Sequence, residues 1–410
     1  MRNYCHTNII KVGIYGFMSG ISLLLSGNTI NFWLANFGID PKIIGFFSLI
    51  ALPYAFKYFI AIFINHFHIK RPQYKIWLIT SQLMLSLSLV TMSFLDLKDN
   101  LWKVAIVGFA IAFFAVIQDI ILSTNRIKIL EKHQQVEGTA LHSIGYRLGM
   151  LFSGAGVIFS SVFISWSSIF LILASVYLLM IVFICFAYKE SDEIEQEDLL
   201  KEKGKIWNNI FIRPFKSFLP FKKLIWFLLF VLIYRMADNM LIVMVNPFFL
   251  KTGYTATEIA SIYKFFGTIM VIIGGFISSY IINKLGMKRS LLSFSIAHML
   301  GSFLYIILSV TGKNIPLLYA ITGYEALTGG MMMTVYIAYI SSICNGKYTA
   351  SQYALFSSAM GLSRVIFPIA SGIIVDCWGL TSFFVSISVI SLCTVFFTAY
   401  VLKGNRIEAA

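Results

Sequence analysis

Apolar residues run through this chain in long blocks separated by short polar connections. Twelve such blocks can be read: Ile9–Phe37, Ile43–Asn65, Tyr74–Leu95, Leu101–Arg126, Gly138–Ile164, Trp166–Tyr188, Lys223–Leu250, Ala256–Asn283, Ser290–Val310, Ile315–Ile343, Ala350–Asp376 and Leu380–Leu402. Each is about the length, roughly 20 residues, that an α-helix needs to cross a bilayer. A chain in lipid must satisfy its backbone polar groups within each segment, which an α-helix does. The pattern predicts an all-α membrane protein with twelve transmembrane helices. The first block carries Asn28 and Asn31 and runs on too far for a cleavable signal peptide, so it should act as an uncleaved anchor.

The connections alternate in character. One set holds 22 of the 32 Lys and Arg, including Lys70, Arg71, Lys75, Arg126, Lys128, Lys284, Lys288 and Arg289. The opposite set holds only Lys42, Lys98, Lys103, Lys251 and Lys313. Positive loops stay inside, which places both termini in the cytoplasm. An even number of spans requires the same. The one long charged run, ESDEIEQEDLLKEKGK, falls between the sixth and seventh blocks. It divides the chain into a six-helix bundle over 1–188, a cytoplasmic linker over 189–222 and a second six-helix bundle over 223–410. The halves echo each other. Asn65-His-Phe-His-Ile-Lys-Arg and Asn283-Lys-Leu-Gly-Met-Lys-Arg each end the second span of their half. Gly38 and Gly253 precede them at nearly the same offset. Weak internal symmetry of this kind fits a transporter of two parallel repeats that rock about a midplane site.

Composition narrows the function classes. The chain of 410 residues is 58% hydrophobic and 12% charged, about half the charged share of a soluble domain. Its net charge of +14 sits in short loops between apolar blocks, which membrane topology explains without a nucleic-acid partner. Five scattered cysteines form no CxxC and no disulfide framework. His66 and His68 have no further ligand nearby in sequence, so no metal is expected. No P-loop, GxSxG or HExxH is present, so the reading is not an enzyme and needs no cofactor.

Charges inside the blocks carry the candidate chemistry. An ionisable residue at membrane depth is costly, and it persists where it faces a cavity or a partner. Eight fall away from block ends: Lys57, Asp119, Arg147, Arg235, Asp238, Lys264, Glu325 and Arg364. In IQDIILSTNRIKIL, Asp119, Ser123 and Arg126 recur at i, i+4 and i+7 and so share one helix face. Asp119 and Glu325 read as proton carriers or substrate contacts, with structural ion pairing as the alternative. Arg235 and Asp238 stand at i, i+3 and can pair locally. Five bases against three acids suit an anionic substrate, since Arg grips carboxylates with two bonds. Gly16 and Gly20, and Gly145 and Gly149, form GxxxG pairs that bring helices close. Tyr15, Trp33, Tyr146 and Tyr234 could stack on sugar rings, or could be core and interface residues.

The segment GGFISSYIINKLGMKRSLL looks like the loop signature of the major facilitator superfamily, with Asn283 where that signature has Asp. Seven stretches in family order then resemble the muropeptide permeases of the AmpG type. They are GFMSGISLLLSGNTINFWL, IGFFSLIALPYAFKYFIA, QDIILSTNRIKIL, GYRLGMLFSGAG, RMADNMLIVMVNPFFLKTGYTATEIASIYKFFG, GYEALTGGMMMTVYIAYISSICNGKYTASQYALFSS and GLSRVIFPIASGIIVD. The resemblance implies a monomeric, multi-pass permease of the bacterial inner membrane. Its implied substrate is an anionic glycopeptide, the N-acetylglucosaminyl-anhydromuramoyl peptide of cell-wall recycling, imported with protons.

The resemblance also assigns residues. It implies proton coupling at Asp119, Glu325 and Asp238, and substrate binding at Arg126, Tyr146, Arg147, Arg235, Lys264 and Arg364. In the fourth span the family has a second Asp, then Ala-Tyr-Arg, with Glu two residues past the Arg. This chain has Ser123, Thr124, Asn125, Arg126 and Lys128 there. Asn65 also replaces an Asp, and Ala326 follows Glu325 where Asn is common. Acids are lost while cations remain. Two alternatives therefore stay open: a diverged permease for another anionic metabolite, and a non-transporting membrane sensor or scaffold.

Overall fold

The computed structural model describes residues 2–66, 73–97, 100–130, 135–187, 221–343 and 349–403. The linker at 189–220, the His66 and His68 side chains, the side chains of Asn65 and Lys128, and both chain ends lie outside the described residues. Among the described residues every regular element is a helix. We number the rods α1 (2–36), α2 (41–66), α3 (Gln73–Ser93), α4 (Leu101–Ile129), α5 (135–160), α6 (Trp166–Ala187), α7 (221–251), α8 (256–285), α9 (Met287–Thr311), α10 (Ile315–Ile343), α11 (349–378) and α12 (380–403).

Nine helices among the described residues are long and apolar enough to cross a membrane, or ten when a bent pair in α2 counts as one span. One of the nine, Leu355–Lys403, holds both α11 and α12. They part at Gly379, whose φ of 78° and ψ of 174° only glycine adopts without strain. The bend in α2 is 40°, between Pro41–Ala55 and Lys57–Ile64. Its cause is local: Pro53 has no N–H to offer the preceding turn, and Ser48–Ala51 tightens into a 3₁₀ stretch there.

The chain folds into two compact units. The first comprises Met1–Ile39, Phe47–Glu193 and Thr255–Lys264. The second comprises Asp40–Phe46, Ile194–Tyr254 and Phe265–Ala410.

In the first unit α1 packs on α5 through small residues. A Cβ on Gly16 would meet the His142 carbonyl oxygen, and one on Gly20 the Tyr146 carbonyl oxygen. Gly145 and Gly149 stand equally tight against the carbonyls of Gly13 and Phe17. Without a hydrophobic drive between helices in lipid, such close backbone packing supplies the attraction. In the core of this unit Trp33 meets Phe170 edge-on at 4.9 Å between ring centroids.

In the second unit Gly274 and Gly330 do the same for α8 and α10, against the carbonyls of Leu327 and Val271. Its core is aromatic: Phe227 meets Phe356 edge-on at 4.5 Å, and Tyr234 stacks on Tyr336 at 5.0 Å. The start of α2 belongs here too, where Lys42 pairs with Asp376 at 3.4 Å. Tyr15, Trp33 and Tyr234 are at most 3% exposed, so they are core residues rather than a sugar platform.

Candidate functional site: two buried carboxylate clusters

Each unit holds a carboxylate gripped by a cation inside its helices. In the first unit Lys57 donates to Asp119 Oδ2. The two side chains keep 30% and 22% of their surface. Lys57 opens the second half of α2, immediately after the bend, so the break is what aims it at α4. One residue before Asp119, Gln118 points into the bundle. Its Oε1 accepts from Gln82 at 3.1 Å and from Ser22 at 3.3 Å, and Ser22 shares a 2.8 Å bond with Tyr177. Hydrogen bonds thus tie α1, α3, α4 and α6 directly beside the ion pair. His142 on α5 feels the charges of Arg126, Asp119 and Lys57. His142 Nε2 and Arg126 Nε are both buried without a hydrogen-bond partner among the described residues. Asn125 donates to Tyr15 at 3.3 Å instead of facing the pair.

Three π-helical stretches lie in this unit or end beside it: Leu25–Thr29, Phe152–Gly156 and Ile259–Phe266. Such stretches widen the backbone and recur at functional positions. Thr29 donates to the Ser153 carbonyl at 2.7 Å, and Lys264 reaches Asn28 Oδ1.

In the second unit α7 breaks at Tyr234–Arg235, and Met236–Lys251 starts a new helix with Arg235 as its N-cap. The break leaves the carbonyls of Val231 and Leu232 without helical partners, and two side chains take them. Tyr336 donates to Val231 at 2.6 Å and Ser363 to Leu232 at 2.7 Å. Asp238 falls in the first turn of the new helix, where the helix dipole favours a negative charge. Arg235 NH2 donates to Asp238 Oδ2, and its NH1 lies 2.8 Å from Met333 Sδ. His298 Nε2 stands 3.7 Å from Asp238 Oδ1, the other carboxylate oxygen. His298 Nδ1 lies 3.2 Å from the Thr328 hydroxyl. One turn earlier on α10, Glu325 is 8% exposed and accepts from Tyr305 at 3.5 Å.

The sequence of this chain matches the model of the Major Facilitator Superfamily over residues 12–327. The chain belongs to the major facilitator superfamily. Within it the resemblance is to AmpG-type permeases. A Rickettsia bellii protein named as transporter AmpG 1 is 38% identical over 93% of this chain and 95% of its own length. The anhydromuropeptide permease of Escherichia coli is 27% identical over 90% of this chain and 75% of its own. Among solved structures, a mutant of the nucleoside transporter NupG superposes with a TM-score of 0.76 at 12% identity, covering 96% of this chain and 99% of that one. That likeness shows the fold. The protein is therefore an AmpG-type, multi-pass membrane permease for a small molecule, and not an enzyme.

In this superfamily member the expected site residues split between the clusters. Asp119, Arg126 and Tyr146 gather in the first unit, where the Tyr146 ring stacks on His142 at 6.5 Å. Lys264 sits at that unit's π-helical edge. Arg235, Asp238 and Glu325 gather in the second, and the charge of Arg364 acts on Arg235. Among the described residues neither Arg147 nor Arg364 forms an ion pair.

His142 and His298 were absent from the sequence-derived set. The signal existed: LLSFSIAHMLGSFLYIIL places a histidine inside a lipid-length run. Counting His with the Lys, Arg, Asp and Glu of the spans would have found it.

Proposed function

We propose that this permease imports N-acetylglucosaminyl-anhydromuramoyl peptides across the bacterial inner membrane, driven by protons, with both termini in the cytoplasm. The observation that carries the reading is the sustained likeness to the E. coli anhydromuropeptide permease across 90% of this chain. The functional unit in this reading is a monomer of two six-helix bundles, 1–188 and 223–410. Asp119, Asp238 and Glu325 exchange the proton. Arg126, Tyr146, Arg147, Arg235, Lys264 and Arg364 bind the substrate.

Two features of the clusters support the assignment. A buried guanidinium Nε with no partner among the described residues, as at Arg126 and Arg235, costs free energy unless a ligand satisfies it. A substrate that brings peptide carboxylates supplies the missing acceptors. Arg147 and Arg364, which have no acidic partner among the described residues, would be wasteful in a scaffold, because a charge at membrane depth is costly.

Uptake of radiolabelled anhydro-muropeptide by proteoliposomes with an imposed inward proton gradient tests the reading. Accumulation that collapses with a protonophore is expected. A flat signal from correctly inserted protein would remove muropeptide as the substrate. Accumulation of a different anionic metabolite in its place would establish a diverged permease.

A further inference from the structure

We propose that His298 is a proton-binding residue of the second unit and holds one proton jointly with Asp238. The use made of that proton rests on the proton-driven reading above. The proton itself follows from the hydrogen bonds.

Thr328 has a single hydroxyl hydrogen. Its oxygen lies 2.8 Å from the Tyr324 carbonyl, one turn back, and 3.2 Å from His298 Nδ1. The shorter contact claims the hydrogen, so toward His298 the hydroxyl can only accept, and Nδ1 must donate. A neutral imidazole has one donor and one acceptor. With Nδ1 as donor, a neutral ring would turn the Nε2 lone pair onto Asp238 Oδ1, 3.7 Å away. His298 and Asp238 are 5% and 4% exposed, so no bulk water separates those two lone pairs. One proton between Nε2 and Oδ1 removes the conflict. Either the ring is an imidazolium, or the carboxyl is protonated and donates to Nε2.

Arg235 sets how tightly this proton is held, because it grips the other oxygen of the same carboxylate. When Arg235 turns to an anionic ligand, Asp238 loses its fixed counter-charge and the pair binds its proton more tightly. By linkage, the bound proton then strengthens binding of that ligand to Arg235. This is the sign of coupling that symport requires.

The other charged and polar groups on the helices around α9 leave that logic intact. From α10 come Glu325, held by Tyr305, and Tyr324, which donates to the Ala297 carbonyl at 2.9 Å. From α11, Arg364 acts through Arg235. From α12, Ser391 bonds Ser302 at 3.2 Å and carries no charge. On α8, Lys284 lies over the exposed Tyr280 ring at 4.5 Å.

The test is nitrogen-15 NMR of the full chain in nanodiscs with labelled histidine. The sequence has six histidines, and His298→Gln assigns the resonance of interest. Should that variant misfold, Thr328→Val assigns it through its shift. The expected result is Nδ1 carrying a proton and Nε2 in a shared hydrogen bond, with titration inside about pH 5–8, the range in which histidine changes charge. Thr328→Val, which removes the acceptor of the Nδ1 proton, should lower the midpoint pH, so that half-titration needs at least a tenfold higher proton concentration. A neutral ring protonated at Nε2 alone over the whole range, unmoved by Thr328→Val, would overturn the proposal. No muropeptide is needed, so this outcome is separable from failure of the substrate reading. In proteoliposomes that do transport, His298→Gln should accumulate muropeptide about tenfold less than wild type and lose the pH dependence.

Discussion

The two units solve one problem differently. Each must keep an aspartate at membrane depth, and each gives it a cation. In the first, Asp119 meets a lysine across a helix bend, and both side chains keep a fifth or more of their surface. In the second, Asp238 is 4% exposed, sits at a helix start, and has both oxygens occupied, one by Arg235 and one facing His298. The difference lies in what releases each charge. The Lys57–Asp119 pair keeps the larger exposed surface. The Asp238 carboxylate is nearly closed off, so its charge changes by moving a proton or by turning Arg235, whose side chain keeps 16% of its surface. Similar chemistry in the sequence, an acid with a base nearby, thus becomes a partly exposed pair in one unit and a more buried one in the other.

The sharpest way to break this comparison is to delete each acid. Asp238→Leu strands two buried basic side chains and should cost about 3–5 kcal/mol, the range for breaking a buried pair. Asp119→Leu should cost less than half of that, because Lys57 can turn to water. Thermal unfolding in detergent reads both, and equal losses would dissolve the distinction.

Next in size is repair. Lys57→Met combined with Asp119→Leu replaces an ion pair by apolar packing and should return to within about 1 kcal/mol of wild type, while uptake stays lost. If the double variant is no more stable than the worse single one, Lys57 and Asp119 do not form an independent pair.

Removing a cation that has no ion pair among the described residues should touch binding alone. Arg147→Ala or Arg364→Ala should raise the KM for uptake about tenfold, as loss of a charged hydrogen bond to substrate does, and shift stability by no more than about 0.5 kcal/mol. Measured uptake with unchanged KM would return those residues to the surface. The smallest effect is expected at Tyr336→Phe, which frees the Val231 carbonyl at the α7 break. It should cost about 1 kcal/mol of stability and leave the pH profile of uptake intact.

Much of the architecture was legible in the sequence, because burial in lipid writes itself as apolar length. All-helical character, the local pairing of Arg235 with Asp238, and the close packing at Gly16, Gly20, Gly145 and Gly149 all follow from local spacing. What escaped was long-range or depended on a break in a helix. Lys57 and Asp119 are 62 residues apart, and no periodicity joins them. The bend that aims Lys57 follows Pro53, yet its direction depends on tertiary packing. The separation of Tyr234 from Met236 has no proline or glycine to announce it, and the two side chains that satisfy the freed carbonyls come from α10 and α11. Tyr15, Trp33 and Tyr234 carried a possible sugar role because aromatic type alone cannot distinguish a core ring from a platform. His298 was within reach of the sequence, but its partners, 60 residues before and 30 after, were not.

The most direct test of proton-driven muropeptide import is the pH dependence of anhydro-muropeptide uptake by wild type and Asp119→Asn in the same proteoliposomes. Wild type should take up more as the outside is made more acid than the inside. Asp119→Asn should lose both accumulation and that dependence while remaining folded. Equal accumulation by both proteins with identical pH profiles, or wild-type uptake indifferent to the gradient, would contradict the account.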